Sequence, residues 1–116
     1  MTQPSANSPV RNVRWADKAA IVDVVGDVDL HRSSDFQQAM LRVLDDRPSR
    51  LIVNLSGVPY MDSSGVASLV KLLSRTRKGG MPMYLVGLQQ RVRSVFEITR
   101  LDTVFDIRGS EQEALS

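Results

Sequence analysis

An aspartate, two serines and a glycine stand together in the segment PYMDSSGVAS, residues 60–69, just ahead of a run with helical periodicity. Three kinds of chemistry fit an acid beside adjacent hydroxyls at such a place. A serine oxygen could cap the helix by accepting from a free amide, worth about 1 kcal/mol, with Asp62 favoured near the helix's positive end. A serine could act as a nucleophile if an imidazole took its proton. Or a serine could carry a phosphate, whose roughly −1.5 to −2 charges are tolerated beside helix amides.

The nucleophile reading is the weakest. A nucleophile elbow needs G-x-S-x-G, and Met61-Asp62-Ser63-Ser64-Gly65 supplies only the final glycine. His31 is the single histidine, it lies in a different loop, and nothing marks an oxyanion hole. No metal set and no phosphate-cradling glycine loop accompanies it, so the chain reads as a non-enzyme without a cofactor. Helix capping accounts for Ser64 but leaves Asp62 and Ser63 unexplained. An exposed serine at a helix entry is open to a kinase, which makes attachment at Ser63 the reading that uses the whole stretch.

These residues must be positioned by the elements around them. A short strand is predicted at 10–15, anchored by Val10, Val13 and Trp15, with a turn at Ala16-Asp17-Lys18 into a buried strand over 19–26. Phe36, Ala39, Met40, Val43 and Leu44 then fall on one helical face. Ser34 with Gln37 reads as its capping box, and Pro48 marks its far end. A strand over 50–55 leads into the acid-serine segment and a second helix, striped by Val66, Leu69, Val70 and Leu73 and closed by Gly79 and Gly80. A strand over 82–88, a helix over 89–100, a strand over 103–107 and a final helical turn complete the order. Strands alternating with helices predict an α/β fold: a mostly parallel central sheet with helical crossovers and an antiparallel N-terminal edge strand. Such a sheet puts its working loops beyond the carboxyl ends of its strands. GDVDLHRSS and SGVPYMDSSG are the two loops that converge there.

The 116 residues suffice for one domain with a single core. The first nine, rich in Ser, Pro and Asn, read as a disordered leader to a domain over 10–116. The chain lacks cysteine, which excludes disulfides and thiolate chemistry. No apolar run reaches the roughly 20 residues that span a bilayer, and no secretory signal opens the sequence, so no membrane insertion and a cytoplasmic location are expected. A net charge of +2 is too small for a dedicated nucleic-acid binder, and no direct DNA binding is expected.

LIVNLSGVPYMDSSGVASLVKLLSRTRKGG, residues 51–80, resembles the central segment of the STAS domain, specifically the bacterial anti-sigma factor antagonists. Upstream, VVGDVDLHRSSDF is similar to that family's Gly-Glu-Leu-Asp strand end and first helix, with Asp-Val here in place of Glu-Leu. Downstream, MPMYLVGLQQRVRSVFEITRLDTVFDI resembles its closing strand, helix and strand. The resemblance implies a STAS domain that binds an anti-sigma factor, itself a serine-protein kinase, and so frees a sigma factor. It further implies that the kinase phosphorylates Ser63 to release the complex and that a PP2C-type phosphatase resets it. Asp29, Asp62, Ser63, Ser64 and Gly65 are the implied partner-binding residues, on a monomer or weak dimer. A STAS scaffold subunit of a signalling or transporter-associated assembly, without the switch, is the alternative.

The best-known members of that family are acidic, whereas this chain has a sequence pI near 9.4. Lys71, Arg75, Lys78, Arg91, Arg93 and Arg100 are predicted to be exposed. They read first as solvated helix faces, and second as a surface for an acidic or nucleic-acid partner.

Overall fold

Alternation along the middle strands decides the architecture. In β3 (Arg50–Gly57), Leu51, Val53 and Leu55 belong to the main core, while Ile52 belongs to a smaller cluster on the other face. β2 (Ala19–Val25) alternates likewise, with Ala20, Val22 and Val24 on the main-core side and Ile21 on the other. A strand buried on both faces needs apolar residues at nearly every position, which is why these runs are almost continuous.

The structure, a computed structural model, describes residues 8–116; residues 1–7 of the expected leader lie outside the described residues. Pro9 is buried, and its carbonyl accepts a hydrogen bond from the Val25 amide at 2.8 Å. Five strands form one sheet in sequence order: β1 (Val10–Ala16), β2, β3, β4 (Met83–Val86) and β5 (Asp106–Arg108). β1 pairs antiparallel with β2, and the remaining pairs are parallel. Three helices cross between the parallel strands: α1 (Ser33–Asp45), α2 (Ser63–Lys78) and α3 (Gln90–Ile98). Their buried residues, including Phe36, Met40, Leu69, Leu72 and Phe96, join the main core, so all three pack on the same side of the sheet. The α/β fold with an antiparallel edge strand is therefore as the sequence predicts. Among the described residues, no helix is long and apolar enough to cross a membrane.

Three local expectations are corrected. Val13 and Trp15 do not anchor β1: they are 39% and 45% exposed, and only Val10 is buried. A bulge at Arg11 breaks the register between Val10 and Asn12. It turns Val10, Val13 and Trp15 toward one face, opposite Val24, Val22 and Ala20, but only Val10 lies deep enough to be covered. The capping box at Ser34 and Gln37 does not form. α1 begins at Ser33 with Arg32 at its N-cap, and no side-chain cap bond is made. The last strand is also displaced from 103–107. Leu101–Thr103 form a 3-10 turn, and Phe105 is buried edge-on to Phe96 at 5.4 Å between ring centroids. Packing of that ring overrides the strand propensity of the Val104-Phe105 pair.

The second face of the sheet is covered by the short terminal helix α4 (Glu111–Leu115), whose Ala114 packs on Ile21, Ile52 and Val86. Polar bonds hold it there. Arg14 pairs with Asp23 at 2.7 Å and with Glu111, Glu111 also accepts from Asn54, and Arg50 donates to the Ala114 carbonyl at 2.6 Å. Hydrogen bonds from Arg14 hold the carboxyls of both Asp23 and Glu111 below the usual carboxylate range, against partial burial. A depressed folded pKa adds stability above the unfolded values, about 3.9 for Asp and about 4.3 for Glu, and that stability is lost as pH falls toward the folded values. In Arg14→Met, the fall in urea midpoint on acidification below about pH 4 should be shallower than in the native protein. Equal slopes for the two proteins would show that the pairs contribute nothing.

Candidate functional site

Two loops meet beyond the carboxyl ends of β2 and β3, and the chain ties them together at the backbone. Val28 and Met61 form an isolated parallel bridge, with Val28 N donating to Tyr60 O at 3.1 Å and Asp62 N donating to Val28 O at 3.3 Å. Both Val28 and Met61 are buried, so the junction is apolar beneath and polar above.

Asp62 is the N-cap of α2, in extended conformation. Its Oδ1 accepts from the amides of Ser64, at 2.9 Å, and Gly65, at 3.1 Å. Its Oδ2 accepts from the amide of Leu30, in the other loop, at 3.0 Å. One carboxylate thus caps the helix and bridges the loops. This corrects the assignment of the cap to Ser64, because Asp62 stands immediately before the first helical residue, two residues ahead of Ser64, and carries two acceptor oxygens. Ser64 is half-buried instead, facing a shallow groove of about 470 Å³ between α1 and α2. Ser68, in the same groove and buried, donates to the Ser64 carbonyl at 3.1 Å.

Gly65 is buried, and the close approach it permits is made by the chain itself. A Cβ there would overlap the Val28 carbonyl oxygen and come within 2.6 Å of Met61 Cγ. Asp29 shapes its own loop. Its Oδ1 accepts from the His31 amide at 3.1 Å, and its carbonyl accepts from the amides of Arg32 and Ser33, leading the chain into α1. Gly26 takes a left-handed φ of 90°, and Arg32 lies close enough that a Cβ would meet its guanidinium.

Ser63 is the exposed member of the group, at the first position of α2. Asp62, Ser63, Ser64 and Gly65 are contiguous, and the Leu30–Asp62 bond places the Asp29 loop alongside them. Two further residues complete the surface. Leu30 is 69% exposed and Tyr60 is 43% exposed. The sequence reading missed both, although an aliphatic residue set between Asp29 and His31 in a polar loop was the available signal.

With this geometry in view, the sequence matches the STAS domain family model over residues 11–114. The chain belongs to the STAS domain family, among the anti-sigma factor antagonists. It is 30% identical to the Staphylococcus aureus anti-sigma-B factor antagonist over 98 residues, 84% of this chain and 91% of that protein. An anti-sigma factor antagonist of Mycobacterium paratuberculosis has a similar structure, with a TM-score of 0.84 and 25% identity, covering 97% of this chain and 96% of that one. The phosphorylated form of the Bacillus cell fate determinant SpoIIAA shares the fold at a TM-score of 0.67 and 18% identity, over 90% and 95% of the two chains.

The loop junction of this STAS domain rests on the two residues flanking the serines. Asp62→Ala removes the cap and the bond to Leu30, and should cost about 1–2 kcal/mol in urea unfolding, with faster hydrogen exchange at the Leu30 amide. Gly65→Ala should cost about 1–3 kcal/mol, because the helix entry must move away from Val28. An unchanged midpoint in both variants would remove the bridge from the account.

Proposed function

We propose that the chain is an anti-sigma factor antagonist working as a phosphorylation switch. In this reading its unphosphorylated form binds an anti-sigma factor that is also a serine-protein kinase, and so releases a sigma factor. Phosphorylation of Ser63 ends the complex, and a PP2C-type phosphatase restores it. The observation that carries the reading is the exposure of Ser63 beside Leu30 and Tyr60, on loops fixed by Asp62.

The hydrogen bonds around α2 sharpen how the charge would act. Asp62 already takes up the amides of Ser64 and Gly65 through its side chain, and that of Val66 through its carbonyl at 3.0 Å. A phosphate on Ser63 would therefore find these amides occupied and a carboxylate next to it. Like-charge repulsion turns it outward, into the space a partner fills. The helix's positive end still tempers its cost to the domain, an effect of about 0.3–1 kcal/mol. Across a packed interface the same charge would be desolvated and unpaired, which costs several-fold more. The switch thus acts on the complex and spares the fold. Asp29, Asp62 and Gly65 shape the surface, Ser63 presents its hydroxyl at it, and Ser64 stands beside it in the groove between α1 and α2.

Incubation with the cognate anti-sigma kinase and ATP, followed by mass spectrometry of the peptides, should place one phosphate on Ser63 and none on the Ser63→Ala chain. Phosphate on another residue would defeat the site assignment, and no phosphate at all would favour the scaffold reading. In calorimetry against the same partner, Ser63→Ala should bind like the native chain. Ser63→Glu should bind at least tenfold more weakly while its urea midpoint changes by about 1 kcal/mol or less. Equal affinities for Ser63→Ala and Ser63→Glu would contradict the mechanism.

A further inference from the structure

The basic residues are unevenly distributed along the chain. Residues 63–100 hold seven lysines and arginines and one acid, Glu97, whereas the rest of the chain holds eight basic and twelve acidic residues. Four of the seven lie on the C-terminal half of α2: Lys71, Arg75, Arg77 and Lys78, all exposed. Three of these fall in the last turn, where they also complement the helix's negative end. That complementarity does not account for the apolar surface beside Arg77 and Lys78; Lys71 and Arg75 line other grooves, on the α1 side of the helix.

Beside this half of α2 runs a shallow groove of about 420 Å³, lined by Val70, Leu73, Ser74, Arg77, Lys78 and Val104. Its lining is largely aliphatic, with Leu73 buried and Val70 and Val104 40% and 39% exposed. Arg77 bonds the Val104 carbonyl at 2.9 Å and so fixes the far wall, the segment after the 3-10 turn. Lys78 is the other cation on its rim.

We propose that this groove is a second docking surface, for an acidic polypeptide segment bearing one aliphatic anchor. Charge complementarity selects the sign of the partner. The largely aliphatic lining selects its kind. A nucleic acid would need a stacking ring, and the groove contains none. An anionic bilayer is met by apolar side chains that protrude together, whereas here Val70 and Val104 stand either side of a groove that also holds the buried Leu73. The lining residues on α2 run from Val70 to Lys78, seven to fifteen residues beyond Ser63, about 10–22 Å along the helix axis. Ser63 does not line the groove, so the proposal stands independently of the phosphorylation switch.

The test uses the full chain, labelled with nitrogen-15, at low salt. The probe is a synthetic twelve-residue peptide of aspartate and glutamate with one central leucine, compared with the same peptide carrying serine at the centre. The leucine peptide should give saturable shifts at the amides of Val70, Leu73, Ser74 and Val104, with affinity at least fivefold above the serine peptide. Lys78→Glu and Val70→Asp, each with a dispersed spectrum, should each weaken it at least tenfold, and Ser63→Glu should leave it within twofold. Absence of saturable shifts, equal affinity for the two peptides, or shifts centred on residues 29–31 and 60–65 would overturn the proposal. So would tighter binding at the same amides by a twelve-residue oligothymidylate or by phosphatidylglycerol vesicles.

Discussion

Everything at the working end of this domain depends on the side chain of Asp62. Its two oxygens face different loops, one toward the first amides of α2 and one toward the amide of Leu30. A capping residue usually serves only its own helix. Here the same group also fixes how the β2–α1 loop lies against the β3–α2 loop, with Gly65 allowing the Val28 carbonyl to come in beneath. The two loops are therefore preorganised: Leu30, Tyr60 and Ser63 are displayed by backbone that has little freedom left.

That arrangement separates support from display. The groups that hold the loops are half-buried or buried, namely Asp29, Asp62 and Gly65, and the groups at the surface are Leu30, Tyr60 and Ser63. A charge added at Ser63 meets helix amides that are already engaged, so its effect falls on whatever lies against the surface. In the proposed switch the added charge acts at the surface, so no second stable packing of the core is required.

The order of strands and helices was legible in the sequence because period two and period three to four are strongly expressed in β2, β3 and α2. The Asp-Ser-Ser-Gly segment was equally clear, and the resemblance it carries led to the right family. What was not legible turned on geometry rather than composition. The cap passed to Asp62 because an Asp and two serines in succession all qualify by type, and only the backbone conformation decides among them. Val13 and Trp15 resembled anchors because apolarity does not reveal that most of the edge strand is left uncovered, although its place at the edge was legible. The last strand slipped by three residues because Phe105 is drawn into the core against Phe96, a long-range contact that no local pattern records. Leu30 and Tyr60 were passed over for a related reason: exposure of a lone apolar residue becomes visible only once the loops are placed.

The bulge at Arg11 has a further consequence. It breaks the register of the outermost strand and leaves arginines at positions 11 and 14, two features that discourage another chain from adding itself to a sheet. The opposite border is β5, three residues long and too short to serve as a template. With both borders blunted, strand addition is closed to partners and to misfolded copies alike. What such a sheet can still present to another protein is side chains, at its loop end and on its helices, rather than unpaired backbone.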